Sequence, residues 1–198
     1  MRTAVFDIET TSLAAVGEGI LLGAVVRDVG SNCTNMYRID GYKGDRRLGF
    51  LEREEFTLLD DILCELARYD LLVGHNINKF DLPFLRTRAY RQGLEYKLVP
   101  FTYDTYKAFK RIGILTRPNG FGHPSAGLAH VIDYLGVPQK KDGVYPVEWW
   151  KAIWGNKKER HDAMDKIMNH CIEDVDMNSQ GYPLLLSQDL RASIKRLL

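Results

Sequence analysis

The chain has few cysteines, no long apolar run and almost no net charge. Its three cysteines, Cys33, Cys64 and Cys171, are widely spaced and form no CxxC pair. This pattern argues against a disulfide framework and a zinc ribbon, and it predicts buried or half-buried free thiols. No apolar stretch approaches the roughly 20 residues of a membrane span. A formal net charge of +1 gives no argument for strong overall attraction to nucleic acid, so any basic surface must be local.

The N-terminal sequence MRTAVFDIET lacks the apolar stretch and the small-residue cleavage site of a secretory signal. We therefore expect an intracellular, cytoplasmic protein with no membrane role. The chain has 198 residues, of which 45% are apolar and 27% charged. These values are typical of one globular domain, expected to comprise residues 1–198, with a sizeable core.

Hydrophobic periodicity predicts an α/β fold. The predicted strands are residues 2–6, 20–27, 36–39, 71–73 and 99–103. The predicted helices are residues 56–69, 81–92, 105–111 and 126–135, followed by a helical tail from residue 158. Gly181 and Pro183 are expected to break that tail into two helices.

Four acidic residues stand in three separate patches: Asp7 with Glu9, then Asp81, then Asp174. Asp7 and Glu9 lie at the end of the first predicted strand, and residues two apart on a strand point to the same face. Two neighbouring carboxylates without a basic partner favour a cation, and carboxylate oxygens are ligands that Mg²⁺ and Mn²⁺ prefer. A D-x-E pair alone is more typical of a solvated strand end, so this interpretation depends on the other motifs.

Two segments carry a family resemblance. Residues 6–13, FDIETTSL, resemble the first motif of the DEDD family of 3′-to-5′ exonucleases, which includes proofreading domains of DNA polymerases and RNase D-like enzymes. Residues 74–85, GHNINKFDLPFL, are similar to the G-x-N-x-x-x-F-D-x-P segment seen especially in family B polymerase proofreading domains. Asp81 would otherwise be an acidic residue that favours a helix N-terminus, but the full spacing favours the motif.

The third motif reads HCIEDV, residues 170–175. Residues four apart share a helix face, so His170 and Asp174 can reach the same cleft. The tyrosine branch of the family has three residues between its tyrosine and the aspartate, and the histidine branch has four; this chain has histidine at the tyrosine spacing. His170 is therefore open to three interpretations: a general base, a group that positions water, or a replacement that slows catalysis. The unperturbed pKa of histidine, about 6.5, suits a base.

His161 and Asp165 repeat the same spacing nine residues earlier. Nine residues rotate an α-helix by about 900°, so the two pairs face opposite sides and only one can serve the site. The HCxxDV context resembles the family motif and favours His170 with Asp174. His161 is expected to be an exposed helix residue.

The resemblance implies an RNase H-like mixed β-sheet flanked by helices in a single domain. It also implies a 3′-to-5′ exonuclease that releases nucleoside 5′-monophosphates by a two-metal mechanism with Mg²⁺ or Mn²⁺. Asp7, Glu9 and Asp174 would hold one ion, and Asp7 with Asp81 would hold the second. Further residues would contact the terminal nucleotide. By the same resemblance these are Thr10, Leu13, Asn76 and Phe80.

The polymer that would be cleaved is left open by the sequence. Single-stranded or frayed DNA ends are favoured, and RNA is the alternative because no residue visibly tests for a 2′-hydroxyl. A different class of function is a catalytically weak module that binds nucleic acid or a protein partner, but the presence of all four carboxylates argues against it. Trp149, Trp150 and Trp154 are expected to form core or a partner surface rather than a base-stacking platform. Arg88 and its basic neighbours are expected on a solvated helix face.

Overall fold

The structure is a computed structural model that describes residues 1–16, 19–42, 50–98, 101–113, 126–138 and 143–197, without the side chains of 50–53 and 194–197. Five strands lie in this part of the chain: β1 Thr3–Thr10, β2 Leu21–Asp28, β3 Thr34–Arg38, β4 Leu71–Gly74 and β5 Phe101–Asp104. The helices are α1 Phe50–Leu66, α2 Asp81–Arg91, α3 Thr105–Ile112, α4 Leu128–Tyr134, α5 Pro146–Trp154 and α6 Lys157–Leu197, with a short 3₁₀ helix at Ile39–Gly41.

The strands form one mixed sheet in the order β3-β2-β1-β4-β5. Strands β1, β2 and β3 pair antiparallel, whereas β1, β4 and β5 pair parallel. Strand β1 is therefore central, with Asp7 opposite Val25 of β2 and Ala4 opposite Leu72 of β4. Strand β4, its parallel neighbour, and β5 beyond β4 end at the same edge of the sheet as β1. The residues that follow these strands are therefore brought together at that edge. The predicted mixed sheet flanked by helices is confirmed.

Helix α6 covers the sheet because its apolar residues recur at helical spacing. The stripe that it buries consists of Met164, Ile167, Met168, Cys171 and Val175. A side chain at Gly23 of β2 would collide with this stripe, since an added Cβ would lie 2.5 Å from the Met168 sulfur. Glycine at this position therefore allows the helix to lie directly on the strand. Burying each large aliphatic side chain contributes about 1.5–3 kcal/mol.

Helix α6 does not break at Pro183, so that prediction is wrong. Proline removes one backbone hydrogen bond and crowds the preceding turn, yet the helix continues through it. Packing on both sides explains the continuity: Leu185 is fully buried in a cluster with Phe109 of α3. A Cβ on Gly181 would lie 2.5 Å from Ile132 Cδ1 of α4. Gly181 therefore permits a close helix contact instead of ending the helix.

Other differences from the expectations are smaller. Strand β1 runs four residues beyond its predicted end, and α1 begins six residues earlier than predicted. Of the predicted strand 99–103, residues 99 and 100 lie outside the described residues. Cys33 and Cys64 are exposed, which corrects the expectation of buried or half-buried thiols, and Cys171 is buried as expected. Within the described residues, no helix combines the length and the hydrophobicity needed to span a bilayer.

A buried ion pair joins helices α1 and α2. Arg88, expected in solvent, is 4% exposed and pairs with Glu55, which is 1% exposed. Arg88 Nε donates to Glu55 Oε1 over 2.8 Å, and the same oxygen accepts from the Leu21 backbone N–H over 2.9 Å. Arg88 also donates to the Ala15 carbonyl, in the loop that follows β1. This pair therefore ties the start of β2 and the loop after β1 to the helix that begins at Asp81.

Removing Arg88 leaves a buried carboxylate without its cation. We expect Arg88→Ala to lower the free energy of unfolding by about 3–5 kcal/mol, the usual cost of breaking a buried pair from one side. Urea denaturation followed by circular dichroism measures it. Arg91→Ala, on the exposed part of the same helix, is the matched control and should change the free energy by less than about 0.5 kcal/mol. Equal stability of the two variants would contradict the assigned role.

Candidate active site

The end of strand β1 and the middle of helix α6 bring three potential metal ligands together. Asp7, Glu9 and Cys171 each offer one ligand atom, and these atoms all lie within 4.8 Å of one another. The Cys171 thiol lies 3.5 Å from the carbonyl oxygen of Asp7 and 3.5 Å from its Oδ2. The two carboxylates thus converge as expected for residues two apart on a strand.

Asp81 joins this group from the N-terminus of helix α2. It is 2% exposed, and its Oδ1 accepts a hydrogen bond of 3.3 Å from the backbone N–H of Ile8, between the two β1 carboxylates. The pKa of Asp81 is raised to about 7, chiefly by burial and also by the charges of Asp104 and Glu9, while backbone N–H groups oppose the rise. The Ile8 N–H therefore links Asp81 of the second motif to strand β1, which carries the first motif.

His170 and Asp174 face the same region from helix α6. His170 Nε2 lies 3.9 Å from Asp174 Oδ2, and both side chains are less than one-fifth exposed. Burial raises the pKa of the neighbouring Cys171 thiol well above its ordinary value, and the negative charges of Asp7, Glu9 and Asp174 contribute to that rise. The carboxylates of Asp7, Glu9 and Asp174 therefore all act electrostatically on the buried Cys171 thiol.

The residues present fit a divalent cation. Carboxylate oxygens are hard ligands that suit Mg²⁺ or Mn²⁺. Burial and neighbouring negative charges raise the pKa values of Asp81 and Cys171, and positive charge would offset both effects. Asp7, Glu9, Asp81 and Asp174 would supply the oxygen donors. Cys171 is a buried thiol whose raised pKa keeps it protonated, which makes it a hydrogen-bond donor to Asp7.

The loop between β4 and α2 is held in place by Asp104. Its carboxylate accepts from the backbone N–H groups of Asn76 and Asn78, over 3.1 and 3.2 Å, and from Lys107 N at the start of α3. Asn76 adopts a left-handed backbone conformation with φ of 66°, which asparagine tolerates better than most residues. Asp104 reaches Asn76 and Asn78 because β4 and β5 are parallel neighbours.

A cleft of about 530 Å³ opens beside the carboxylates. Three of the four residues expected to contact a nucleotide line it: Thr10, Leu13 and Phe80. Asn76 lies on the loop that Asp104 holds. The remaining lining includes Ile8, Glu9, Thr11, Ser12, Val144, Pro146 and Trp149. The last three were not expected at the site, because nothing in their local pattern links them to the motifs.

His170 also lines a second cavity, of about 480 Å³, together with Tyr145, Glu148, Lys166 and Glu173. The other H-x-x-x-D pair, His161 with Asp165, lies elsewhere. His161 Nδ1 is 3.2 Å from Asp40 Oδ2, and Asp165 binds Arg38 over 2.6 Å. His161 is 65% exposed, as the sequence predicted. Of the two H-x-x-x-D pairs, His161 with Asp165 therefore lies against Asp40 and Arg38, whereas Asp174 lies close enough to Cys171 to act on it electrostatically.

A model of the RNase H superfamily matches residues 4–180, which is most of the chain. The chain therefore belongs to the RNase H superfamily. RNase H-like nucleases use divalent metal ions, so this membership and the Asp7, Glu9 and Cys171 cluster together support a metal-binding nuclease. No curated protein is detectably similar to it in sequence.

Two solved structures share the fold. One is the family B DNA polymerase from the hyperthermophilic archaeon Pyrobaculum calidifontis, with a TM-score of 0.55 and 17% identity over 95% of this chain and 27% of that chain. The other is E. coli exonuclease I in complex with a dT13 oligonucleotide, with a TM-score of 0.60 and 15% identity over 96% of this chain and 42% of that chain. The chain thus spans less than half the length of each.

Asp81 makes stability depend on pH. Its pKa in the folded, metal-free chain is about 7 against an ordinary 3.8, so the folded state holds this proton more tightly. Stability contributed by the protonated group is full below pH 3.8 and is lost as pH rises through 7. We expect Asp81→Asn to raise Tm in EDTA, and to raise it more at pH 8 than at pH 5. At about 2–4 °C per kcal/mol, the gain at pH 8 should be several degrees.

Calorimetry at both pH values measures this gain. Asp60→Asn, on the exposed side of α1, is the control and should shift Tm little at either pH. A lower Tm for Asp81→Asn at pH 8 would show that the ionised carboxylate stabilises the fold, contrary to the effect of its burial.

Proposed function

We propose that the chain is a metal-dependent 3′-to-5′ exonuclease of the DEDD family that shortens single-stranded or frayed DNA ends. Its third motif places it nearest the tyrosine-type branch, with histidine at the tyrosine position, and its catalytic domain comprises residues 1–198. One observation carries the proposal: the two β1 carboxylates converge on Cys171 of α6, and Asp81 of α2 is bonded to the backbone between them, beside an open cleft. RNase H superfamily membership supports it.

Two divalent cations, Mg²⁺ or Mn²⁺, would neutralise the phosphate and lower the pKa of the attacking water when bound. Asp7, Glu9 and Asp174 would hold one, and Asp7 with Asp81 the other. Asp104 keeps the second motif in place through its bonds to Asn76 and Asn78. The Ile8 N–H fixes the orientation of Asp81.

The cleft is suited to the end of a nucleic acid strand. Phe80 and Leu13 line it and offer apolar surface to a terminal base or sugar, and Leu13 is 83% exposed and thus open to a ligand. Thr10 lines the same cleft beside Glu9, where its backbone can bond to a terminal hydroxyl. Asn76 would contact the same nucleotide from the loop. E. coli exonuclease I shares the fold and its structure is a complex with a dT13 oligonucleotide, which supports nucleic acid as the partner.

The reaction would be an in-line displacement at phosphorus. A water oxygen bonds to the phosphorus of the terminal phosphodiester while the bond to the preceding 3′ oxygen breaks. The products are a nucleoside 5′-monophosphate and a strand shortened by one nucleotide with a new 3′-hydroxyl. His170 would accept a proton from the water: its Nε2 lies 3.9 Å from Asp174 Oδ2, and the residue lines a cavity of about 480 Å³.

Degradation of 5′-labelled dT20 and rU20 with Mg²⁺ or Mn²⁺ tests the activity. We expect a ladder that shortens from the 3′ end, is abolished by EDTA and falls at least about 100-fold in Asp7→Asn, since the loss amounts to several kcal/mol. Asp60→Asn is the matched control for a surface carboxylate. Comparison of the two polymers decides between DNA and the RNA alternative. No cleavage of either polymer would overturn the proposal.

Variants of His170 distinguish proton transfer from the positioning of water. We expect His170→Ala to lower kcat by about 10²–10⁴-fold with little change in KM. His170→Gln keeps hydrogen bonding but cannot accept the proton, so its kcat should fall as far. Full activity of the glutamine variant would reduce His170 to a residue that positions water. Single-turnover kinetics with the same oligonucleotides give the rate constant of the chemical step without a contribution from product release.

A further inference from the structure

Helix α5 turns two tryptophans outward. Trp150 is 61% exposed and Trp154 is 69% exposed, while Ala152 and Ile153 of the same helix are buried and Trp149 packs partly against the core. Positions 150 and 154 are four residues apart, so both rings lie on one face, separated by about 6 Å along the axis. Two adjacent exposed aromatic rings form an apolar surface that is unfavourable in water, and such surfaces mark binding sites.

The groove along these rings is continuous with the candidate active-site cleft. A cavity of about 630 Å³ lies between the tryptophans and the loop after β1. It shares four lining residues with the cleft that holds Glu9 and Phe80: Thr11, Ser12, Pro146 and Trp149. A polymer whose end occupied the cleft would therefore extend into this groove.

The surface beyond the tryptophans carries positive charge. Lys157, Lys158 and Arg160 open helix α6, three to six residues after Trp154, and line a shallow depression with His161 and Asp40. Lys158 also pairs with Asp162 over 2.6 Å. Phosphate groups bind such residues with salt-dependent affinity. Aromatic rings beside cations are the combination used to bind single strands without regard to sequence.

We propose that the exposed face of α5 is a track for single-stranded nucleic acid leading to the active site. Bases that precede the terminal nucleotide stack on Trp150 and Trp154, and their phosphates run toward Lys157 and Lys158. The proposal rests on the proposed function and extends it, since it predicts that a longer strand binds more tightly than a short one. Trp149 packs partly against the core, as expected; for Trp150 and Trp154 the proposal chooses base stacking over the partner surface that the sequence favoured.

Substrate length is the first test. Stacking is worth about 1–3 kcal/mol per base, so Trp150→Ala/Trp154→Ala should raise KM for dT12 at least about tenfold more than KM for a dT dinucleotide. Trp150→Phe/Trp154→Phe should retain most of the affinity, because phenylalanine keeps an aromatic face. Tyr90→Ala removes another exposed aromatic residue, on α2, and should leave both values unchanged. A parallel rise in both KM values would show a structural effect and overturn the track.

Binding without cleavage is the second test. Fluorescence anisotropy of labelled dT12 in EDTA measures Kd whether or not the protein is a nuclease, so failure of the proposed activity and failure of the track are distinguishable. We expect the tryptophan double alanine variant to raise this Kd about tenfold or more. Lys157→Ala/Lys158→Ala should reduce the slope of log Kd against log salt by about one to two. An unchanged Kd for the tryptophan variant would overturn the proposal and favour a protein partner on this face.

Discussion

The packing of helix α6 on strand β1 is the contact on which the site depends. Asp7 and Glu9 are on the strand, His170 and Asp174 are on the helix, and Cys171 lies fully buried between them. The same apolar stripe that holds the helix on the sheet therefore sets the separation of the charged groups. Met168 above Gly23 is part of this contact, so the approach of the helix and the geometry of the carboxylates are determined together.

That arrangement places negative charge where the fold cannot easily tolerate it. Asp81 and Asp104 are both nearly buried and act on one another electrostatically. The chain offsets the cost with backbone N–H groups: Ile8 donates to Asp81, and Asn76 and Asn78 donate to Asp104. These bonds do not restore an ordinary pKa to Asp81. A residual cost of this kind is expected where a group is kept for binding rather than for stability.

The sequence predicted most of the sheet and supplied the candidate site residues because both have strong local signals. The strands are short apolar runs with turn residues between them, and the carboxylates lie in motifs with fixed spacing. The predictions from sequence failed where tertiary packing determines the course of a helix or the burial of a side chain. Pro183 should interrupt a helix in isolation, but contacts of Gly181 and Leu185 with α3 and α4 stabilise the continuous form. Arg88 looked like a surface residue because its partner, Glu55, is 33 residues away in the chain.

The histidine at position 170 is best understood through the geometry of that continuous helix. A four-residue spacing rotates the helix by about 400°, so His170 lies almost directly above Asp174, whereas a fifth residue would turn the ring a further 100° away. The proposed assignment of His170 to the tyrosine position of the family pattern, and not to the histidine position of the other branch, rests on this spacing. His170 also lines a cavity of about 480 Å³. Space beside the imidazole is consistent with the exchange of a proton with water that is proposed for this residue.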